Sequence, residues 1–97
     1  MFIVSGAYVI KQGKREEFMR EIYSKGIIAK IRGEKGNISY NYFYPYDSNS
    51  RVYFVEQWEN RADWEAHCQS PHIIGELKTL KDVYMTDFEP GILGCME

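Results

Sequence analysis

Two stretches of this chain are apolar at consecutive positions rather than at alternate ones. From Phe2 to Lys11, Phe2, Val4, Tyr8 and Ile10 share one parity while Ile3, Ala7 and Val9 share the other. From Arg51 to Glu59, Val52, Phe54, Glu56 and Trp58 alternate with Tyr53, Val55 and Gln57. Successive side chains of a strand point to opposite faces of its sheet, so strands of this kind have no face meant for water. Both faces of the sheet must therefore be covered. A chain of 97 residues is too short for a second core, because a domain this small buries only about 60 to 70% of its unfolded surface. The expectation is one domain over residues 1–97, with a core over about 2–90 and a short tail over 91–97.

The remaining elements follow from punctuation and periodicity. Gln12-Gly13 breaks the first strand, after which Phe18 and Ile22, with Met19, Tyr23 and Ile27, recur at helical spacing and predict a helix from Lys14 to near Gly33. Gly26 inside it costs about 1 kcal/mol relative to alanine, so its last turns are expected to be irregular. Glu34-Lys35-Gly36-Asn37 reads as a turn, and Ile38 to Tyr44 as a second strand carrying Tyr40, Tyr42 and Tyr44 on one parity. Asp47-Ser48-Asn49-Ser50 joins it to the third strand, Arg51 to Glu59. Asn60 is an N-cap for a second helix from Arg61, and Ser70-Pro71 caps a further helical piece from His72 to about Leu80. A last strand, Val83 to Phe88, ends at Pro90-Gly91, and Ile92, Leu93 and Met96 of the tail are expected to pack on a neighbour.

Strand, helix, strand, strand, helix, strand is the ferredoxin-like βαββαβ order of an α+β fold with a four-stranded antiparallel sheet. Two helices cover only one face of that sheet. The other face, almost equally apolar, would meet water, and a second copy packed sheet to sheet is the simplest cover. A homodimer is therefore expected.

Several classes are disfavoured. The net charge of −2 and the absence of any Lys or Arg run leave no field that would collect phosphate backbones or anionic lipid. Met1 to Val4 has neither a basic region before it nor a long apolar core behind it, which reads as no signal peptide and no spanning helix, and places the chain in the cytoplasm. Cys68 and Cys95 stand far apart without metal or redox spacing and read as reduced thiols. His67 and His72 are five apart across a proline, unlike the i, i+4 pair of a zinc helix, so no metal is expected. Arg51-Val52-Tyr53-Phe54-Val55 looks superficially like an RNA-recognition strand, but the glycines of that motif and its basic flanks are missing.

Aromatic residues make up 15% of the chain and eight are tyrosines, an excess that suits a lined cavity or an interface. His67, three residues after Trp64 and four after Asp63, could act as a general base with the Asp63 carboxylate orienting its ring, or could fill space in the core. Glu56, between Phe54 and Trp58 on one strand face, must find a donor or shift its pKa upward; it could orient a histidine or an arginine, or tie the sheet together. A hydroxyl of Tyr40 or Tyr42 could stabilise a developing phenolate or peroxide oxygen, the alternative being sheet packing. Trp58 is a core or pocket wall whose indole N–H could meet a ligand. His72, at a helix start, is placed where amides could meet an anion, and Asn37 is turn geometry or a ligand contact.

Taken in order, Glu34-x-Gly36-Asn37-x-x-Tyr40, Glu56-x-Trp58, His67 and Ser70-Pro71-His72 resemble the antibiotic biosynthesis monooxygenase family, over a span from Val4 to Phe88. The resemblance implies a dimeric α+β barrel with a pocket between sheet and helices. It also implies oxygenation of a small phenolic or quinol-like substrate by O2 without flavin, haem or metal. His67, Glu56 and Tyr40 would then be the catalytic groups, with Trp58, Trp64, His72, Asn37 and Tyr42 around the substrate. The haem-degrading branch of the family carries an asparagine, a tryptophan and a histidine where this chain has Ser5-Gly6, His67 and Leu77, which speaks against haem degradation. The family also holds an isomerase and many members without assigned activity, so a small-molecule binding protein or isomerase on the same scaffold is the alternative.

Overall fold

The computed structural model describes residues 1–95. The two doubly apolar segments, β1 (Phe2–Ile10) and β3 (Arg51–Trp58), lie side by side at the centre of a four-stranded antiparallel sheet. Strand β2 (Asn37–Phe43) flanks β3 and β4 (Met85–Cys95) flanks β1, giving the order β2-β3-β1-β4. This is the ferredoxin-like arrangement expected from the element order. Among the described residues no helix is long and apolar enough to cross a membrane.

Gly26 divides the expected first helix. It takes φ of 69° between α1 (Arg15–Ser24) and α2 (Ile27–Arg32), a left-handed conformation that glycine adopts without a Cβ clash. The break lets Phe18 and Ile22 of α1 and Ile27 and Ile31 of α2 all reach the core, each fully buried. Helix α3 (Arg61–Cys68) starts as expected, with Asn60 Oδ1 accepting from the Asp63 amide at 2.8 Å.

The C-terminal third departs from the sequence expectation. A π-helical segment, His72–Leu77, runs into α4 (Lys78–Tyr84), so Val83 and Tyr84 are helical rather than extended. Leu77, Leu80 and Tyr84 recur at helical spacing and pack on the core, which holds the helix past Leu80. Pro90-Gly91 does not end the last strand either. β4 is an edge strand, where a missing proline donor is tolerated, and a register shift opposite Ser5 absorbs the irregularity. There the Ile92 amide donates to Ser5 Oγ at 2.9 Å, and a Cβ on Gly91 would stand 2.6 Å from that same oxygen. Ile92 and Leu93 thus belong to the sheet, and Met96 lies outside the described residues.

The helices cover the face formed by Phe2, Val4, Tyr8, Val52, Phe54 and Trp58. The opposite face is more mixed than its alternation suggested. Ile3 and Ala7 are buried among neighbouring strands, Tyr53 and Phe43 are about half exposed, and two polar pairs lie across it: Arg51 to Glu89 at 2.8 Å and Ser39 Oγ to Gln57 Oε1 at 2.7 Å.

Candidate active site

The strand register sets the floor of the site. Glu56 stands between Val4 on one side and Tyr40 on the other, and Phe54 between Gly6 and Tyr42. Paired residues share a face, so a carboxylate and a row of phenols meet beneath the helices. His67 reaches them from α3, its ring 4.7 Å from Trp58 and 6.2 Å from Tyr40, centroid to centroid.

His67 is 5% exposed and bridges two carboxylates. Its Nδ1 lies 2.6 Å from Glu34 Oε2, and its Nε2 faces Glu56 Oε1 at 3.4 Å. The other oxygen of Glu34 meets Nε2 of His72. Burial lowers the His67 pKa, opposed by the hydrogen bond and charge of Glu34, and a neutral imidazole carries one N–H. A His67 hydrogen on Nδ1 would donate to Glu34 Oε2 and leave the Nε2 lone pair facing Glu56. Burial raises the Glu56 carboxyl to about 7, partly offset by the Trp58 indole, whose N–H donates to Glu56 Oε1 at 3.0 Å. A carboxyl with this pKa exchanges its proton readily at neutral pH, which is the property a general acid or base needs.

The phenols complete the cluster. The Tyr40 and Tyr42 hydroxyls are 2.8 Å apart, and Tyr8 lies next to them, its ring 6.2 Å from that of Tyr42. Burial pushes Tyr40 and Tyr8 well above the ordinary phenol range and Tyr42 to about 12, so all three stay protonated and serve as hydrogen-bond donors. Tyr42 also lines a cleft of about 340 Å³ with Met19, Ile28, Arg32, Asn41 and Tyr44. Lys81 of α4 meets the cluster at Tyr8, its ammonium 4.8 Å from the centre of that ring. Among the described residues no group of three or more His, Cys, Asp or Glu is arranged to hold a metal ion.

The family model for antibiotic biosynthesis monooxygenases matches residues 1–74. The chain belongs to that family. It is 34% identical over 70 residues to an uncharacterised protein of Synechocystis, covering 72% of this chain but only 46% of that protein. It is 32% identical over 74 residues to the Bacillus subtilis protein named "Putative monooxygenase YcnE", covering 75% of this chain and 76% of that one. Among solved structures, one titled as an antibiotic biosynthesis monooxygenase superposes with a TM-score of 0.83 at 21% identity, covering 100% of this chain and 99% of the other. A Pseudomonas aeruginosa protein superposes with a TM-score of 0.82 at 19% identity, covering 99% and 94%. At such identities these superpositions establish the fold.

Within this family fold, the residues singled out in the sequence separate into two groups. His67, His72, Glu56, Trp58, Tyr40 and Tyr42 converge on one buried cluster. Trp64 instead packs against Phe2, ring centroids 5.4 Å apart, and Asn37 turns its amide onto the Ser39 carbonyl at 3.2 Å. The indole N–H of Trp58 is taken by Glu56 rather than left for a ligand. His72 faces the Glu34 carboxylate rather than an anion site. Asp63 does not orient His67: its side chain lies against Gly36, where an added Cβ would come within 2.0 Å of Oδ2, and Glu34 takes that role.

Three members of the cluster were not singled out. Glu34 stood in the quoted motif but read as turn chemistry, Tyr8 was counted only as an apolar strand position, and Lys81 fell between the expected helix and strand. For Tyr8 the signal was present, since it shares a parity with Phe2 and Val4 and neighbours Val52 across the ladder. Cys68 is a free thiol that burial pushes up to about 11, which keeps it a poor nucleophile.

Proposed function

We propose that the chain is a cofactor-independent monooxygenase that oxidises a small phenolic or quinol-like substrate with O2, working as a cytoplasmic homodimer. The reading is carried by the Glu34–His67–Glu56 chain, which sets a base of near-neutral pKa beside a row of protonated tyrosines. A phenol that gives its proton to Glu56, with His67 Nε2 as the next acceptor, becomes a phenolate, the form of the substrate that can pass an electron to O2. The resulting radical pair joins through a carbon–oxygen bond as a peroxide. Returning the proton to the outer peroxide oxygen and removing the ring C–H proton breaks the O–O bond, leaving a quinone carbonyl and one water. The substrate supplies all the electrons, one oxygen atom enters the product and the other becomes water. Tyr40 and Tyr42 hydroxyls are suited to hold the developing peroxide oxygen. The two half-exposed aromatics of the open sheet face, Tyr53 and Phe43, support the dimer.

The test is oxygen uptake by the metal-free protein with a panel of hydroquinones and polyphenols. Uptake that falls about a hundredfold or more in His67→Ala, with folding intact, is the expected result for breaking the relay that takes the proton on from Glu56. No uptake with any substrate would refute the oxygenase reading. Because the relay moves protons and holds no electrons, isomerisation by proton transfer is the second reading, and an enolisable ketone exchanging its α-hydrogens with solvent deuterium in the absence of O2 would favour it.

A further inference from the structure

The π-helical segment and α4 together turn Leu77, Leu80 and Tyr84 toward the core, and Lys81 shares that stripe. A lysine on a core-facing stripe normally carries its ammonium out to water or pairs it with a carboxylate. Its neighbours do so: Lys78 pairs with Asp82 at 2.8 Å and Lys30 with Glu76 at 2.8 Å. Lys81 is instead drawn inward and makes no ion pair or hydrogen bond among the described residues. Its ammonium stands over the Tyr8 ring and is coupled through space to Glu56 of β3 and Cys68 of α3. Burial lowers its pKa, and the Glu56 charge opposes that shift.

The surroundings indicate what such a cation would hold. The rings of Tyr8, Phe54 and Phe88 lie within 5.1 to 6.3 Å of one another, and Phe88, on the edge strand β4, is 43% exposed. Tyr8 and Phe54 are buried, so Phe88 is the open outer ring of this aromatic stack. An open ring beside an ammonium without an ion-pair partner suits a flat aromatic anion better than a phosphate or an aliphatic acid. We propose that Lys81 is the anion-binding residue of this site, its ammonium holding the deprotonated oxygen of a phenol whose ring lies against the exposed ring of Phe88. The hydroxyl proton passes to the Glu56 carboxylate as the oxygen anion settles on Lys81. This assignment deepens the oxygenase reading and rests on it for the choice of substrate, but its test does not require turnover.

The probe is 4-nitrophenol, whose ionised form absorbs at longer wavelength than its neutral form and which does not undergo the proposed oxidation readily. The wild-type protein is expected to bind it and to shift its ionisation to lower pH, while 4-nitroanisole, which cannot ionise, binds more weakly. Lys81→Met is expected to weaken nitrophenolate binding about tenfold or more, the scale of a lost charge-assisted hydrogen bond, and to abolish the ionisation shift. Lys81→Arg should restore part of both, and Lys78→Met should change neither. Lys81→Met should also melt at a higher temperature than the wild type, since an unpaired, partly buried ammonium gives way to an apolar side chain. Unchanged nitrophenolate binding in Lys81→Met, no binding to the wild type, or a lowered melting temperature would each overturn the assignment. Binding lost in Lys81→Met with no oxygen uptake by the wild type on any quinol would leave Lys81 as the anion site and refute the oxygenase reading.

Discussion

The two faces of the sheet are built from alternate residues of the same strands, yet they handle charge in opposite ways. On the open face, Arg51 and Glu89 form a paired, solvent-washed bridge. Solvent screens such a pair, so it adds little to stability and carries no chemistry. On the helix side of the sheet, Glu56, Tyr40 and Tyr8 are buried with His67, and the same low-dielectric setting that makes them costly moves their proton affinities. Burial on one side thus creates reactive groups, while exposure on the other leaves a surface suited to contact between copies.

The strongest way to break this contrast is to remove the indole that supports the buried side. Trp58→Ala should cost about 3 to 5 kcal/mol in urea unfolding, combining a large cavity with loss of the donor to Glu56. A cost below 1 kcal/mol would show that the helix-side face is not the tightly packed region described above.

Next in size is Glu56→Gln, whose effect depends on pH. The folded carboxyl sits near 7, above its ordinary 4.5, so the folded state holds its proton more tightly than the unfolded chain. The wild type should therefore lose stability as pH rises from 4.5 through about 7. Removing the carboxyl should make the variant more stable than the wild type above that window, by at most about 3 kcal/mol, and not below it. His67 works in the other direction: its pKa is lowered, so its contribution is present above 6.5 and lost as pH falls. Glu34, His72 and Lys81 also face this pair, and Glu56→Gln leaves them in place. Thermal melts across pH should show the acid-side loss of His67 more clearly in the variant.

The smallest changes belong to the open face. Arg51→Met should leave monomer unfolding nearly unaltered and make it less sensitive to salt. Tyr53→Glu should likewise spare the monomer but convert a dimer to a monomer in analytical ultracentrifugation. A large stability loss from either substitution would erase the difference between the faces.

Much of this contrast was legible in the sequence. The parity of Val52, Phe54, Glu56 and Trp58 grouped residues that share one face of the sheet, and Asn60 marked the start of α3. Other parts depended on distant packing. Gly26 signalled irregularity but not a left-handed break, and Pro90-Gly91 signalled a stop that an edge strand did not require. Asp63 was the nearest carboxylate to His67 in sequence, on the same helix. The real partner, Glu34, is 33 residues away, brought in by the turn between α2 and β2. Lys81 became visible as a core-facing residue only once α4 was seen to extend to Tyr84.

The most direct measurement supplies a hydroquinone accepted in the uptake assay with isotopically heavy dioxygen and reads the product and the water by mass spectrometry. One heavy atom in the quinone and one in water is the expected result, abolished in His67→Ala. Heavy label in water or peroxide alone, with none in the product, would contradict oxygenation and show that the buried cluster serves another reaction.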